Sequence, residues 1–266
     1  MSTAQVAPTE ARYVEQVMGL PVTLALRGRH ARGDRAERAW AQALAVLRRA
    51  DEVFSTYRAE SAVSRLDAGT TTLADCPPEV HEVLDLAATA EADTEGWFRV
   101  RLPDPAGRLR LDPSGLVKGW ALERAAEALA DLDGTDWCLS GGGDMTCRTA
   151  APESPGWRIG IEDPADPRRV LAVVPVRTGA VATSGTAHRG PHVLDPFTGR
   201  PPDGIASVTV VGPSLLWADV WATAAFARGV GATDWLRSRR GCTGLVVHTD
   251  GSTRATQASG AGRPTW

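Results

Sequence analysis

Cysteine is scarce in this sequence: Cys76, Cys138, Cys147 and Cys242 are the only four in 266 residues, and no two stand in CxxC spacing. That excludes a zinc ribbon or a disulfide framework and predicts reduced, mostly buried thiols. Long apolar runs are missing as well, so nothing approaches the roughly 18 residues a membrane-spanning helix needs. Met1 to Thr9 shows no basic start leading into an apolar stretch. A secretory signal is therefore not expected, and a cytoplasmic location is. Neither sign of charge dominates: 29 Lys and Arg stand against 32 Asp and Glu, a formal net charge of -3. A nucleic-acid binder would carry a basic face, and none is evident. Arginine far outnumbers lysine and alanine is abundant, a compositional bias that by itself implies no function.

What is present suits a globular protein. Hydrophobic residues make up 43% and charged residues 23%, and the length fits one large domain or two small ones. Residues 1–12 are small and polar and are expected to be a disordered lead-in, with a single domain over 13–266. Alternation over Val14–Arg27, with Val22, Leu24 and Leu26 on one face, predicts a strand. Asp34–Phe54 and Glu79–Ala92 predict amphipathic helices, the second after the Pro77-Pro78 stop signal. Arg99–Leu111 is punctuated by Pro and Gly and predicts turns with brief strands. Gly119–Leu132 and Trp217–Arg228 predict helices, and Trp157–Ile161, Val170–Val176, Ser207–Val211 and Gly244–His248 predict strands. Helices and strands mix without strict βαβ alternation, which points to α+β in one intertwined domain and away from a doubly wound sheet.

Four segments carry chemistry. Leu111–Gly119 is a glycine-bearing turn running into a helix, where free N–H groups, the helix dipole and Lys118 suit a phosphate. It lacks Walker A spacing, and a tight turn with an exposed lysine is the plain alternative. Ser140–Asp144 contains three consecutive glycines, which permit close backbone approach or simply form a hairpin. Ala182–Gly185 together with His192–Arg200 gathers hydroxyls, a histidine, a carboxylate and an arginine. The alternative there is a polar hairpin turned by Asp195-Pro196 and Thr198-Gly199. Finally, Asp219 and Thr223 stand four apart on a predicted helix, so their oxygens share one face and suit a hard cation such as Mg²⁺. The alternative makes Asp219 a charge at the helix terminus.

In their order along the chain these segments resemble the ApbE family, the FAD:protein FMN transferases. Met18-Gly19-Leu20-Pro21-Val22, Phe54–Arg58 with Ser61 and Ser64-Arg65-Leu66, Asp112–Gly119, Gly142-Gly143-Asp144, Trp157–Pro164, Ala182–Gly185, His192–Arg200 and Ala218–Thr223 carry the likeness. The resemblance implies a single α+β ApbE-like domain with mixed strands and flanking helices. It implies a Mg²⁺-dependent transferase that cleaves the FAD pyrophosphate, attaches FMN through a phosphoester to a Thr or Ser of an acceptor protein, and releases AMP. Asp219 and Thr223 would then give Mg²⁺ side-chain oxygens and Gly115 a backbone carbonyl. Met18, Tyr57, Asp112, Lys118, Ser184 and His192 match flavin-binding positions, and His192 is the candidate base for the acceptor hydroxyl. With water as the acceptor, the same site would make an FAD pyrophosphatase; without catalysis, an FAD-binding protein. Two departures stand out: Arg99 occupies a position where the family usually has aspartate, and the segment down to Leu111 is short. No lipobox cysteine stands near the start, unlike many exported relatives.

Overall fold

The protein is described by a computed structural model that covers residues 10–104, 106–187, 190 and 193–256. Two strands open it, β1 (Glu10–Val17) and β2 (Leu20–Gly28), paired antiparallel from Glu10↔Arg27 to Val17↔Leu20. The continuous strand expected over Val14–Arg27 is therefore a hairpin. Its turn residues Met18 and Gly19 have φ of 56° and 69°, the doubly left-handed geometry that suits the twist of tight hairpins. Methionine rarely adopts that conformation, so only Gly19 marked the turn. Residues 10–12, expected in the polar lead-in, belong to β1 and pair with Ala25–Arg27.

Helix α1 (Asp34–Phe54) matches its predicted span, because buried Ala36, Trp40, Ala43, Leu44, Leu47 and Phe54 recur at helical spacing. The chain continues through α2 (Ala62–Asp67), capped by Ser61, and α3 (Pro78–Asp93) to a small hairpin of β3 (Arg101–Pro103) and β4 (Leu109–Leu111). Helix α4 (Ser114–Glu127) starts before the expected Gly119, so Gly115 and Lys118 lie on the helix and not in its entry turn. Then come β5 (Thr135–Gly141), β6 (Asp144–Arg148), β7 (Trp157–Asp163), β8 (Asp166–Val176), β9 (Thr178–Gly185) and β10 (Ile205–Gly212). Helices α5 (Leu215–Ala227) and α6 (Ala232–Arg237) precede β11 (Thr243–His248) and β12 (Thr253–Ala255).

Eight strands form one sheet in the order β1-β2-β5-β6-β9-β10-β11-β12, and every pairing in it is antiparallel. Strand alternation sends side chains to two separate cores. Trp137 and Leu139 of β5, Ala180 and Ala182 of β9, and Val208 and Val210 of β10 join α1, α4 and α5 in the main core. Cys138, Cys147, Val181 and Leu245 face the other way and are covered by Ile159, Ile161, Val174 and Val176 of the β7–β8 hairpin. The result is an α+β arrangement with helices on one face and a hairpin on the other. Among the described residues no helix is long and apolar enough to cross a membrane.

Candidate functional site

The site is built where α4 meets α5. Gly119 permits that approach: a Cβ there would lie 3.0 Å from Leu216 Cα and 3.2 Å from the Leu215 carbonyl oxygen. One turn further along α4, the Glu123 carboxylate accepts hydrogen bonds from Leu215 N (2.8 Å), Leu216 N (3.3 Å) and Ser214 Oγ (3.2 Å). A negative charge at the positive end of α5 is favourable, and it satisfies amides that have no partner within the helix. Ser214 completes the cap by accepting from Trp217 N at 3.3 Å.

This junction sets Lys118 beside Asp219. The Lys118 ammonium contacts Oδ2 of Asp144 and lies 3.4 Å from Oδ2 of Asp219. Both carboxylates are buried, at 0% and 2% exposure. The Asp144 side chain reaches this place because Gly142 and Gly143, with φ of 61° and 94°, turn β5 tightly into β6. Its other oxygen, Oδ1, accepts from Thr183 N of β9 at 2.9 Å. One helical turn past Asp219, Thr223 Oγ1 lies 3.0 Å from Ser184 Oγ of β9. Four elements thus bring Lys118, Asp144, Ser184, Asp219 and Thr223 to one junction.

These positions decide several of the alternatives left open by the sequence. Asp219 is the fifth residue of α5 and buried, so it is not a terminal charge. Lys118 is an ion-paired, largely buried group and not a free surface lysine. The triple-glycine run does form a hairpin, and that same hairpin delivers Asp144. Asp195 makes a turn as well, accepting from Phe197 N (2.8 Å) and Thr198 N (3.3 Å). Burial alone would raise its carboxyl, but these bonds outweigh it and hold the group below the usual carboxylate range.

The remaining predicted site residues are placed by their own local structure. Met18 sits partly buried at the strained β1–β2 turn, Tyr57 follows α1 and is 99% exposed, and Gly115 is exposed on the first turn of α4, three residues before Lys118. Asp112 spends its Oδ1 on Ser114 N at 3.0 Å, fixing the entry to α4. His192 lies outside the described residues. Arg99 does not leave a gap where the family's aspartate would stand. Its Nε donates to Gly96 O at 2.8 Å, and its guanidinium lies 4.7 Å from the centre of the Phe197 ring, which meets Trp97 edge-on. Sequence reasoning missed Asp144 as the partner of Lys118; an acid placed directly after a run of three glycines is the signal that could have found it.

Asp219 and Thr223 are hard oxygen donors on one helix face, with Ser184 adjacent, so the donor chemistry fits Mg²⁺. Among the described residues no three His, Cys, Asp or Glu side chains cluster into a metal cage. Magnesium seldom uses such cages, holding instead to one or two carboxylates, waters and substrate phosphates.

The sequence model of the ApbE family matches residues 18–104 and 99–246. The Escherichia coli (strain K12) FAD:protein FMN transferase is 30% identical over 173 residues, covering 61% of this chain and 48% of that protein. The Rhodobacter capsulatus protein of the same name is 32% identical over 202 residues, covering 69% and 38% respectively. The chain spans about half the length of the Escherichia coli relative it matches. Among solved structures, the apo form of Pseudomonas stutzeri flavinyl transferase ApbE superposes with a TM-score of 0.80 at 22% identity, covering 96% of this chain and 98% of that one. The ApbE protein of Thermotoga maritima gives 0.78 at 21% identity, covering 94% and 97%. With the family's sequence pattern running through most of its length and the family's fold matched over nearly all of it, the chain belongs to the ApbE family.

Proposed function

We propose that this protein is a Mg²⁺-dependent FAD:protein FMN transferase. The observation that carries the reading is the Lys118, Asp144 and Asp219 cluster beside the Thr223–Ser184 pair, in a chain whose relatives bear that name. Asp219 and Thr223, with the Gly115 carbonyl, would hold the ion, which supplies charge stabilisation at the pyrophosphate. Lys118 adds a positive charge one helical turn inside α4, close enough to its positive end for both to favour phosphate. Met18, Tyr57, Asp112 and Ser184 line the flavin portion. His192 takes the proton from a Thr or Ser hydroxyl of the acceptor protein. That oxygen forms a bond to the FMN phosphorus while the bond to the AMP phosphate oxygen breaks, so FMN ends as a phosphoester and AMP leaves. A cytoplasmic site of action belongs to the same proposal.

The test is intact-mass measurement of purified protein incubated with FAD, Mg²⁺ and a candidate acceptor protein. A mass gain of one FMN on the acceptor, lost on chelation and in Asp219→Ala, is expected. Free FMN and AMP with several acceptors and no adduct would replace the transferase with a pyrophosphatase. Bound but intact FAD would sink both.

A further inference from the structure

Lysine occurs once in this chain, at position 118; every other basic side chain apart from histidine is arginine. In such a composition the exception points to a site where a guanidinium will not serve. An arginine presents a planar fork, whereas a lysine ammonium is a compact point charge. Here that charge sits between two buried carboxylates, touching Asp144 and standing 3.4 Å from Asp219. Among the described residues, two buried carboxylates thus share this one ammonium. Asp144 is also anchored independently of the ammonium, its Oδ1 accepting from Thr183 N.

We propose that Lys118 is the internal counter-cation of the metal site: it occupies Asp219 when no divalent ion is bound and withdraws onto Asp144 when one binds. This inference rests on Asp219 being a metal ligand. Lys118 and Asp144 are then positioning residues for the ion, Asp144 acting through Lys118. The ion and the ammonium compete for Asp219, so in the metal-free site the ammonium offsets part of the cost of burying two carboxylates. The competition also lowers the affinity of the bare protein for metal, keeping tight binding for the state in which a pyrophosphate is present to share the ion.

The single lysine makes the exchange observable in the intact wild-type chain. Protein grown with lysine labelled at Nζ and Cε gives one lysine side-chain signal, and titration with Mg²⁺ alone, without FAD, is expected to shift it. The shift saturates together with the heat of Mg²⁺ binding and is absent in Asp219→Ala. Mn²⁺ affinity, read by calorimetry, separates the roles further. Lys118→Met is expected to tighten Mn²⁺ binding at least about fivefold, the lower range of coupling between linked sites. Lys118→Arg, which retains a cation and gives it a fork for two carboxylates, weakens it. Asp144→Asn also weakens it, and most of that loss disappears in the Lys118→Met background.

Divalent-ion binding with an unmoved lysine signal would overturn the exchange while leaving the metal site intact. So would weaker Mn²⁺ binding in a folded Lys118→Met variant. A full Asp144→Asn penalty in the absence of Lys118 would mean that Asp144 acts on the ion directly. If wild type and Asp219→Ala bind Mn²⁺ identically, the metal reading of Asp219 itself fails.

Discussion

Replacing Gly119 with alanine sets two effects against each other. An alanine in a helix interior gains about 1 kcal/mol over glycine. The new methyl would lie 3.0 Å from Leu216 Cα, 3.2 Å from Leu215 O and 3.3 Å from Leu216 N. These are backbone atoms, and they belong to the turn that Glu123 holds with two amide hydrogen bonds, so no side chain can rotate away. Overpacking of this kind costs about 1–3 kcal/mol, which leaves a net loss of about 0–2 kcal/mol. Gly115→Ala is the control: its methyl would meet only the Phe98 ring, at 3.5 Å, an ordinary contact. Taking the difference between the two variants removes most of the helix-propensity gain, so Gly119→Ala is expected to be the less stable by about 1–3 kcal/mol. At about 2–4 °C per kcal/mol for domains of 150–250 residues, thermal melts resolve that gap. Calorimetry or urea unfolding of the pair provides the measurement. Equal stabilities, or a more stable Gly119→Ala, would refute the claim that direct backbone approach joins α4 to α5.

Three further predictions concern regions outside that junction. Burial alone would raise the Asp67 carboxyl, but the hydrogen bond from Leu111 N at 2.7 Å and the contact with Arg110 outweigh it and hold the group below the usual range. A depressed folded value contributes stability above the unfolded value near pH 4, lost as pH falls through the folded value. Asp67→Asn should therefore be less stable at neutral pH and show a flatter acid limb in urea melts; an unchanged limb would contradict this. All four cysteines are buried, and Cys147 is raised by its contact with Cys138 and by burial, while burial pushes Cys242 up to about 11. A disulfide reagent at pH 8 should label all four only after denaturation, and rapid labelling of folded protein would disprove the packing. Arg99→Asp, restoring the residue usual in relatives, removes the guanidinium from Gly96 O and from the Phe197 ring and should cost about 1 kcal/mol. A stability gain on urea unfolding would show that Arg99 ties nothing down.

How far the sequence could be read depended on how local each signal was. Helix α1 was legible to the residue because its apolar stripe and its ends lie within one segment. The start of α4 was missed since Pro113 and Asp112 open it through an Asp112–Ser114 bond with no serine or threonine cap to mark it. Strand β9 shows in the sequence only as a polar motif, because Thr183 and Ser184 mask the alternation that buries Ala180 and Ala182. Lys118, Asp219 and Thr223, which the fold brings to one junction, stand out in the sequence by residue type and by the order of their motifs. The pairing of Lys118 with Asp144 does not, because it depends on β6 lying next to β9 and on α4 crossing close to α5. Such contacts are products of sheet order and helix packing, which no local pattern encodes.

The sheet has two cores, one on each face, and the site draws on only one of them. Asp144 and Thr146 alternate with Met145 and Cys147 along β6, and Ser184 follows Ala180 and Ala182 on the helix-side face of β9. The β7–β8 cover therefore acts as a partition wall's far lining. Its outward surface can be reshaped to suit a different environment or neighbour without touching the ionic cluster, whereas its inward residues still rest on the strands that carry Asp144 and Thr183. Variation in this family member should be cheapest on that side, where the fold has kept structural upkeep apart from chemistry.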